Sequence, residues 1–198
     1  MNTKQIIARM DELLKPLGFA LHKATWNRRS DCFVDVVALE ASKSGDAVTI
    51  SAGVLHPDIH RICWEAPLPA IIQEPDCIVR ARIGHMIDDG KDLWWRLDDD
   101  DILNDISEKL NTHVLPFLER MHSLETMEQF LTDRNVLKRR YPPPVIYLAI
   151  LKSVRGDKSG ACLLLGELGD KTVGVWRIRI REIAGHCEFK VQVQETAS

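Results

Sequence analysis

The sequence predicts an α+β fold: an N-terminal helix and an antiparallel meander sheet, followed by a C-terminal run of helices. Three observations predict it. The apolar spacing is helical at the start, changes to period two, and returns to helical after Leu97. No helical stretch separates the extended segments, so a parallel crossover is unavailable and the strands must pair antiparallel. Pro142, Pro143 and Pro144 then punctuate the chain before a last helical block.

The elements follow in order. Ile6, Ile7, Met10, Leu13, Leu14 and Leu17 mark one face of a helix. Asn2 or Thr3 can cap it, Gly18 can end it, and Pro16 moves the stop earlier. Phe19 to Trp26 is extended or ambiguous. Cys32 to Ala41 is rich in valine and reads as a strand. Val48, Ile50, Ala52 and Val54 alternate with Thr49, Ser51 and Gly53 in a second strand, and the Lys43–Asp46 turn joins the two as a hairpin. His56 to Pro75 holds four prolines and is expected to be irregular.

A second hairpin is expected from Cys77 to Leu97, turning at Asp89-Gly90, a preferred type I′ pair. That turn would pair Asp88 with Lys91, His85 with Trp94, and Gly84 with Trp95. The Trp95 indole would then cover the glycine. Arg82, Gly84, Trp95 and Leu97 would share one face, and His85 and Trp94 the other.

Helices follow. Asp98 to Asp101 supply the acidic start of a helix running to about His113, with a kink or break at Pro116. Ser123 can cap the next, which carries Leu124, Met127, Phe130 and Leu131. Three more are expected at Val145–Arg155, Lys158–Leu168 and Thr172 to about Phe189, with Gly156-Asp157 and Gly169-Asp170 as stops. The expected division is an α+β domain over residues 1–141 and a helical subdomain over 142–198 packed on it. No internal repeat is evident.

The totals bound the function. The chain has 198 residues, 45% hydrophobic and 28% charged, with a net charge of −3. That suits a globular protein with a sizeable core, and it is not the strongly basic balance of a dedicated nucleic-acid binder. The charge is polarised: residues 1–133 carry 14 basic and 23 acidic side chains, and residues 134–198 carry 12 and 6. The −9 segment would meet a basic partner, or the two segments would neutralise each other internally. No apolar run approaches a membrane span, and no secretory leader is visible, so a cytoplasmic protein is expected. Cys32, Cys63, Cys77, Cys162 and Cys187 form no C-x-x-C and read as small apolar residues.

Common nucleotide, hydrolase and zincin motifs are missing. His56, His60 and Cys63 could share a helix face around zinc, but a proline-rich loop is the plainer reading. His85, Asp88, Asp89 and Asp92 offer oxygen ligands at what is otherwise a hairpin tip. No cofactor and no metal are expected. Arg80 and Arg82, with Trp94 and Trp95 nearby, are candidate binding residues, because arginine pairs with oxyanions, stacks on indole and anchors interfaces. Arg177 and Arg181 are i, i+4 and join the list, beside Arg179, Tyr141, Trp176 and the basic stretch Arg134, Lys138, Arg139 and Arg140. No nucleic-acid module accompanies them, so nucleic acid is not the expected partner.

Several short motifs occur in a telling order. Gly18-Phe19 follows the first helix. Val37–Ser42 leads to Ser51-Ala52-Gly53-Val54, then Cys77–Gly84 with its Arg-Ile-Gly, Trp94-Trp95-Arg96-Leu97, and Val114–Leu118. This series, over about residues 6–135, resembles the bacterial family of domain of unknown function 4304. The resemblance implies a bacterial α+β protein and carries no catalytic residues. Where the family shows glutamine and asparagine on two central strands, this chain holds Glu40 and Ala52, so no polar site transfers there.

Two functions are therefore expected. The first is a non-enzymatic, protein-binding module of the cytosol, an immunity- or antitoxin-like partner of a toxic effector. The second is an enzyme or small-molecule binder with a pocket between sheet and helices near Arg82, Trp94 and Trp95.

Overall fold

The computed structural model describes residues 2–30, 32–87, 91–134 and 141–185. The Asp89-Gly90 turn, Lys138 to Arg140, Cys187 and the end of the last expected helix lie outside the described residues. The chain forms two compact units, Met1–Leu55 with Pro69–Met121, and His56–Leu68 with His122–Ser198. Pro142 falls inside the second, just before one of its helices.

The first unit is α+β. Helix α1 (Thr3–Leu14) opens it, capped by Asn2 in a reciprocal capping box with Gln5. Strands β1 (Ala20–His22), β2 (Thr25–Arg29), β3 (Val34–Ala41), β4 (Ala47–Leu55) and β5 (Val79–Arg82) lie in that order in one antiparallel sheet, and β6 (Trp95–Arg96) also pairs with β4. The expected first hairpin is present as β3 and β4, and the ambiguous stretch after Gly18 resolves into β1 and β2.

The expected second hairpin is corrected. β5 and β6 do not pair with each other. Both use the free edge of β4, with Ser51 opposite Arg82 and Val48 opposite Trp95. At nine residues, β4 is long enough to hold two short strands in succession. The chain leaves the edge at a 3₁₀ turn over Ile83–His85. Gly84 there presses on the backbone of Lys91, not on an indole: a Cβ would stand 1.7 Å from the Lys91 carbonyl oxygen. Arg82 and Trp95 consequently lie on opposite faces.

The register sorts the side chains. Trp26, Val37, Ala52 and Ala81 form one row across four strands. Ile50, Val54, Val79 and Trp95 extend that face, and all are buried. Helices cover it. The Trp26 Nε1 donates to Asp11 on α1 at 3.1 Å, and the Trp95 Nε1 donates at 2.5 Å to Asp105 on α3 (Ile102–Lys109). After α3 a π turn over Leu110–Val114 leads straight into α4 (Leu115–Arg120). The break expected at Pro116 is thus a change of helical register. Proline offers no N–H to a carbonyl one turn upstream, and the wider turn, with Leu115 N–H on Leu110 O, accommodates it.

The second unit is helical among its described residues. Helix α2 (Pro57–Trp64) occupies the stretch expected to be irregular. Pro57 at its first turn needs no donor, and His56 caps it by accepting the Asp58 N–H at Nδ1. It is joined by α5 (Leu124–Asp133), α6 (Pro143–Val154), α7 (Lys158–Lys171) and α8 (Val175–Ala184). Ser123 caps α5 as expected. Val145 to Leu151 of α6 are all buried, as befits a helix apolar on every side. Gly169-Asp170 does not stop α7, which runs to Lys171 and is followed by Gly174 at φ 64°.

Candidate functional site

The sheet's second face carries the polar groups. Its register builds two rows: Thr25, Ala38, Ser51 and Arg82, then Asn27, Val36, Gly53 and Arg80. The segment around Ile72–Cys77 covers one end. Asn27 exchanges hydrogen bonds with the Ile72 backbone, and Cys77 lies over Gly53, where a Cβ would meet the Cys77 Cβ at 2.7 Å. Thr49 Oγ1 donates to Leu93 O at 2.7 Å and ties down the other end. Between them lies a cleft of about 510 Å³ lined by Thr25, Ala38, Glu40, Gln73, Glu74, Arg80 and Arg82, among others.

The charges in this cleft hold each other. Arg80 pairs with Glu74 at 2.9 Å. Arg82 pairs with Asp92 at 2.9 Å and with Glu40 at 3.2 Å, while Ser51 Oγ donates to the other Glu40 oxygen. Burial pulls the Arg82 pKa down, but Glu40 and Asp92 together outweigh it, and the net shift is upward. The guanidinium also lies over the Trp94 ring, 5.5 Å from its centroid. The Arg82 and Asp92 side chains keep 41% and 40% of their surface exposed, so the cluster meets solvent.

The structure thus brings Arg80, Arg82 and Trp94 to one place and removes Trp95. That indole is 4% exposed on the opposite face and belongs to the core. Arg177 and Arg181 sit in the other unit. Arg177 donates to the carbonyls of Gly169 and Asp170 near the end of α7, satisfying orphan acceptors there. Arg181 is exposed.

The residue between them does more. Arg179 donates to Ile62 O at 2.6 Å and Cys63 O at 3.2 Å, and pairs with Glu65 at 2.6 Å, closing the C-terminus of α2. Nearby, Trp64 Nε1 donates to the Tyr147 hydroxyl at 2.7 Å, and Trp176 packs edge-on to both Trp64 and Tyr141.

The remaining candidates resolve individually. His60 and Cys63 are buried on α2, and burial pushes the Cys63 thiol up to about 12, far from a reactive thiolate. Burial likewise raises Cys77 well above its ordinary value. Among the described residues, no group of three His, Cys, Asp or Glu side chains could hold a metal ion.

Glu40 and Glu74 in the cleft, and Ser51 bonded to Glu40, are the partners of this cluster that the sequence did not propose as binding residues. The signal was available: Ser51 and Glu40 break the apolar character of two central strands on the face that Arg80 and Arg82 share.

Residues 10–120 match the family model described as Domain of unknown function (DUF4304). The match spans the whole sheet, α2, α3, the π turn and α4. No match to the chain was found among curated proteins or among solved structures.

Proposed function

The chain belongs to the DUF4304 family, whose description carries no activity, and from that premise we propose that it is a non-enzymatic, protein-binding module of the bacterial cytoplasm. The proposed contact surface is the polar face of the sheet. The observation that carries this reading is the half-buried Arg82–Trp94 stack, whose arginine lines the cleft. Arginine and tryptophan are the residue types that most often anchor protein interfaces. Three carboxylates, Glu40, Glu74 and Asp92, face two arginines, Arg80 and Arg82. With the −9 balance of residues 1–133, that favours a basic partner.

Its narrowest form is an immunity-like role, in which the partner is a basic toxic effector and electrostatic steering speeds its capture. The test is capture at low and high salt by the wild-type chain, by R82E and by R181E. A basic protein retained by wild type and R181E, released by salt and lost from R82E, supports the reading. Equal retention by all three contradicts it.

A second reading is favoured by the size of the cleft. About 510 Å³ is within the range of small-molecule sites, and Arg80, Arg82, Glu40 and Glu74 would hold the two ends of a zwitterion. A ligand-dependent rise in melting temperature that R82E abolishes, without any protein partner, would favour it.

A further inference from the structure

The first unit has seven arginines, and six are engaged. Arg9, Arg28, Arg80, Arg82 and Arg96 pair with carboxylates, and Arg29 donates to the Pro69 and Ala70 carbonyls. Arg120 alone in that unit has no ion-pair or hydrogen-bond partner among the described residues. Its carboxylate neighbour in sequence, Glu119, is taken by Arg28 at 2.5 Å.

Arg120 also lines a cavity of about 190 Å³, whose other walls are Met86, Thr112, His113, Pro116 and Phe117. No carboxylate is among the described lining residues. The π turn supplies two of the walls. It presents Thr112 and His113 at the point where Pro116 interrupts the hydrogen-bond ladder, and inserted π turns recur at functional sites. The lining therefore joins a guanidinium without a counter-ion among the described residues and an imidazole to apolar walls, while the Thr112 hydroxyl already donates to Glu108 O at 2.8 Å.

We propose that this cavity binds a small organic carboxylate, its oxygens held by Arg120 and His113 and its apolar body against Met86 and Phe117. A guanidinium matches a carboxylate in a two-point contact, and the apolar walls favour an organic acid over a bare inorganic anion. The site is separate from the sheet-face cleft, and its fate does not depend on that surface.

The experiment is an amide and side-chain NMR titration of the full chain with butyrate and, separately, with inorganic phosphate. Butyrate should give saturable shifts at Thr112, His113, Phe117 and Arg120, with phosphate binding more weakly. R120Q, at an exposed position with no side-chain hydrogen bond or ion pair to lose among the described residues, should keep the rest of the spectrum and weaken butyrate by roughly tenfold or more, the size of one charge-assisted hydrogen bond. R181Q should bind as wild type. Absence of a saturable butyrate shift, equal affinity in R120Q, or tighter binding of phosphate than of butyrate would overturn the proposal.

Discussion

Arg82 and Trp94 are stacked and tied to the same carboxylate. The guanidinium lies 5.5 Å from the indole centroid, Arg82 Nη1 donates to Asp92 Oδ2 at 2.9 Å, and Trp94 Nε1 donates to that oxygen at 3.1 Å. Asp92 is thus the clip of the stack. D92A should free the Trp94 indole, seen as greater accessibility to an aqueous fluorescence quencher. Because the groups are exposed, the loss of stability should stay near about 0.5–1 kcal/mol. Unchanged Trp94 accessibility would mean that the stack does not depend on the clip.

Arg179 and Arg181 stand on one helix but should behave differently. R179A removes the donors that close α2 and leaves the Ile62 and Cys63 carbonyls wanting, at about 1–3 kcal/mol. R181A, at an exposed position, should stay within about 0.5 kcal/mol. Urea midpoints for the two variants check this, and equal midpoints would contradict it.

Two glycines make opposite tests. G84A forces a Cβ onto the Lys91 carbonyl and within 2.8 Å of Leu93 N, both backbone, so the segment leading to Trp95 must move. A loss of about 2 kcal/mol or more is expected. Gly166 lies inside α7 with nothing within 4 Å of an added Cβ, so G166A should stabilise by about 0.5–1 kcal/mol through helix propensity. Thermal melts of both variants measure the difference.

Asp157 supplies a pH test. The Gly160 N–H, and then Lys152, hold its carboxyl below the usual carboxylate range. A folded value below the unfolded one gives stability that is present above the unfolded value and lost as pH falls through the folded one. The advantage of wild type over D157N should therefore be full near neutrality and shrink in acid. A difference that is constant across the acid range would show that the charge does not contribute.

What the residues declared in advance follows from how local their causes are. The first helix, the β3–β4 hairpin and the Ser123 cap rest on periodicity and capping over a few residues, and each is where expected. The second hairpin failed because its competitor was distant. An Asp-Gly turn argues for local pairing, but the edge of β4, about 25–30 residues before β5 and nearly 50 before β6, takes both strands. The same competition moved Trp95 into the core while leaving Trp94 beside Arg82. Helix α2 was legible only as the lesser alternative to a proline-rich loop, because the number of prolines outweighed the position of Pro57, whose place at a first turn promotes a helix. Of the site, the arginines were legible from residue type. Glu40, Ser51 and Glu74 were not, because their convergence depends on cross-strand register and on the segment folded over Gly53.

The most direct test of the sheet face as a binding surface is site-specific photo-crosslinking in living cells. A photoreactive phenylalanine analogue at position 94 should yield a covalent adduct with a basic protein. The same group at position 181, in the other unit, should yield none. The adduct at 94 should disappear when R82E is introduced alongside it. No protein adduct at position 94, or one that persists undiminished in R82E, would contradict the account.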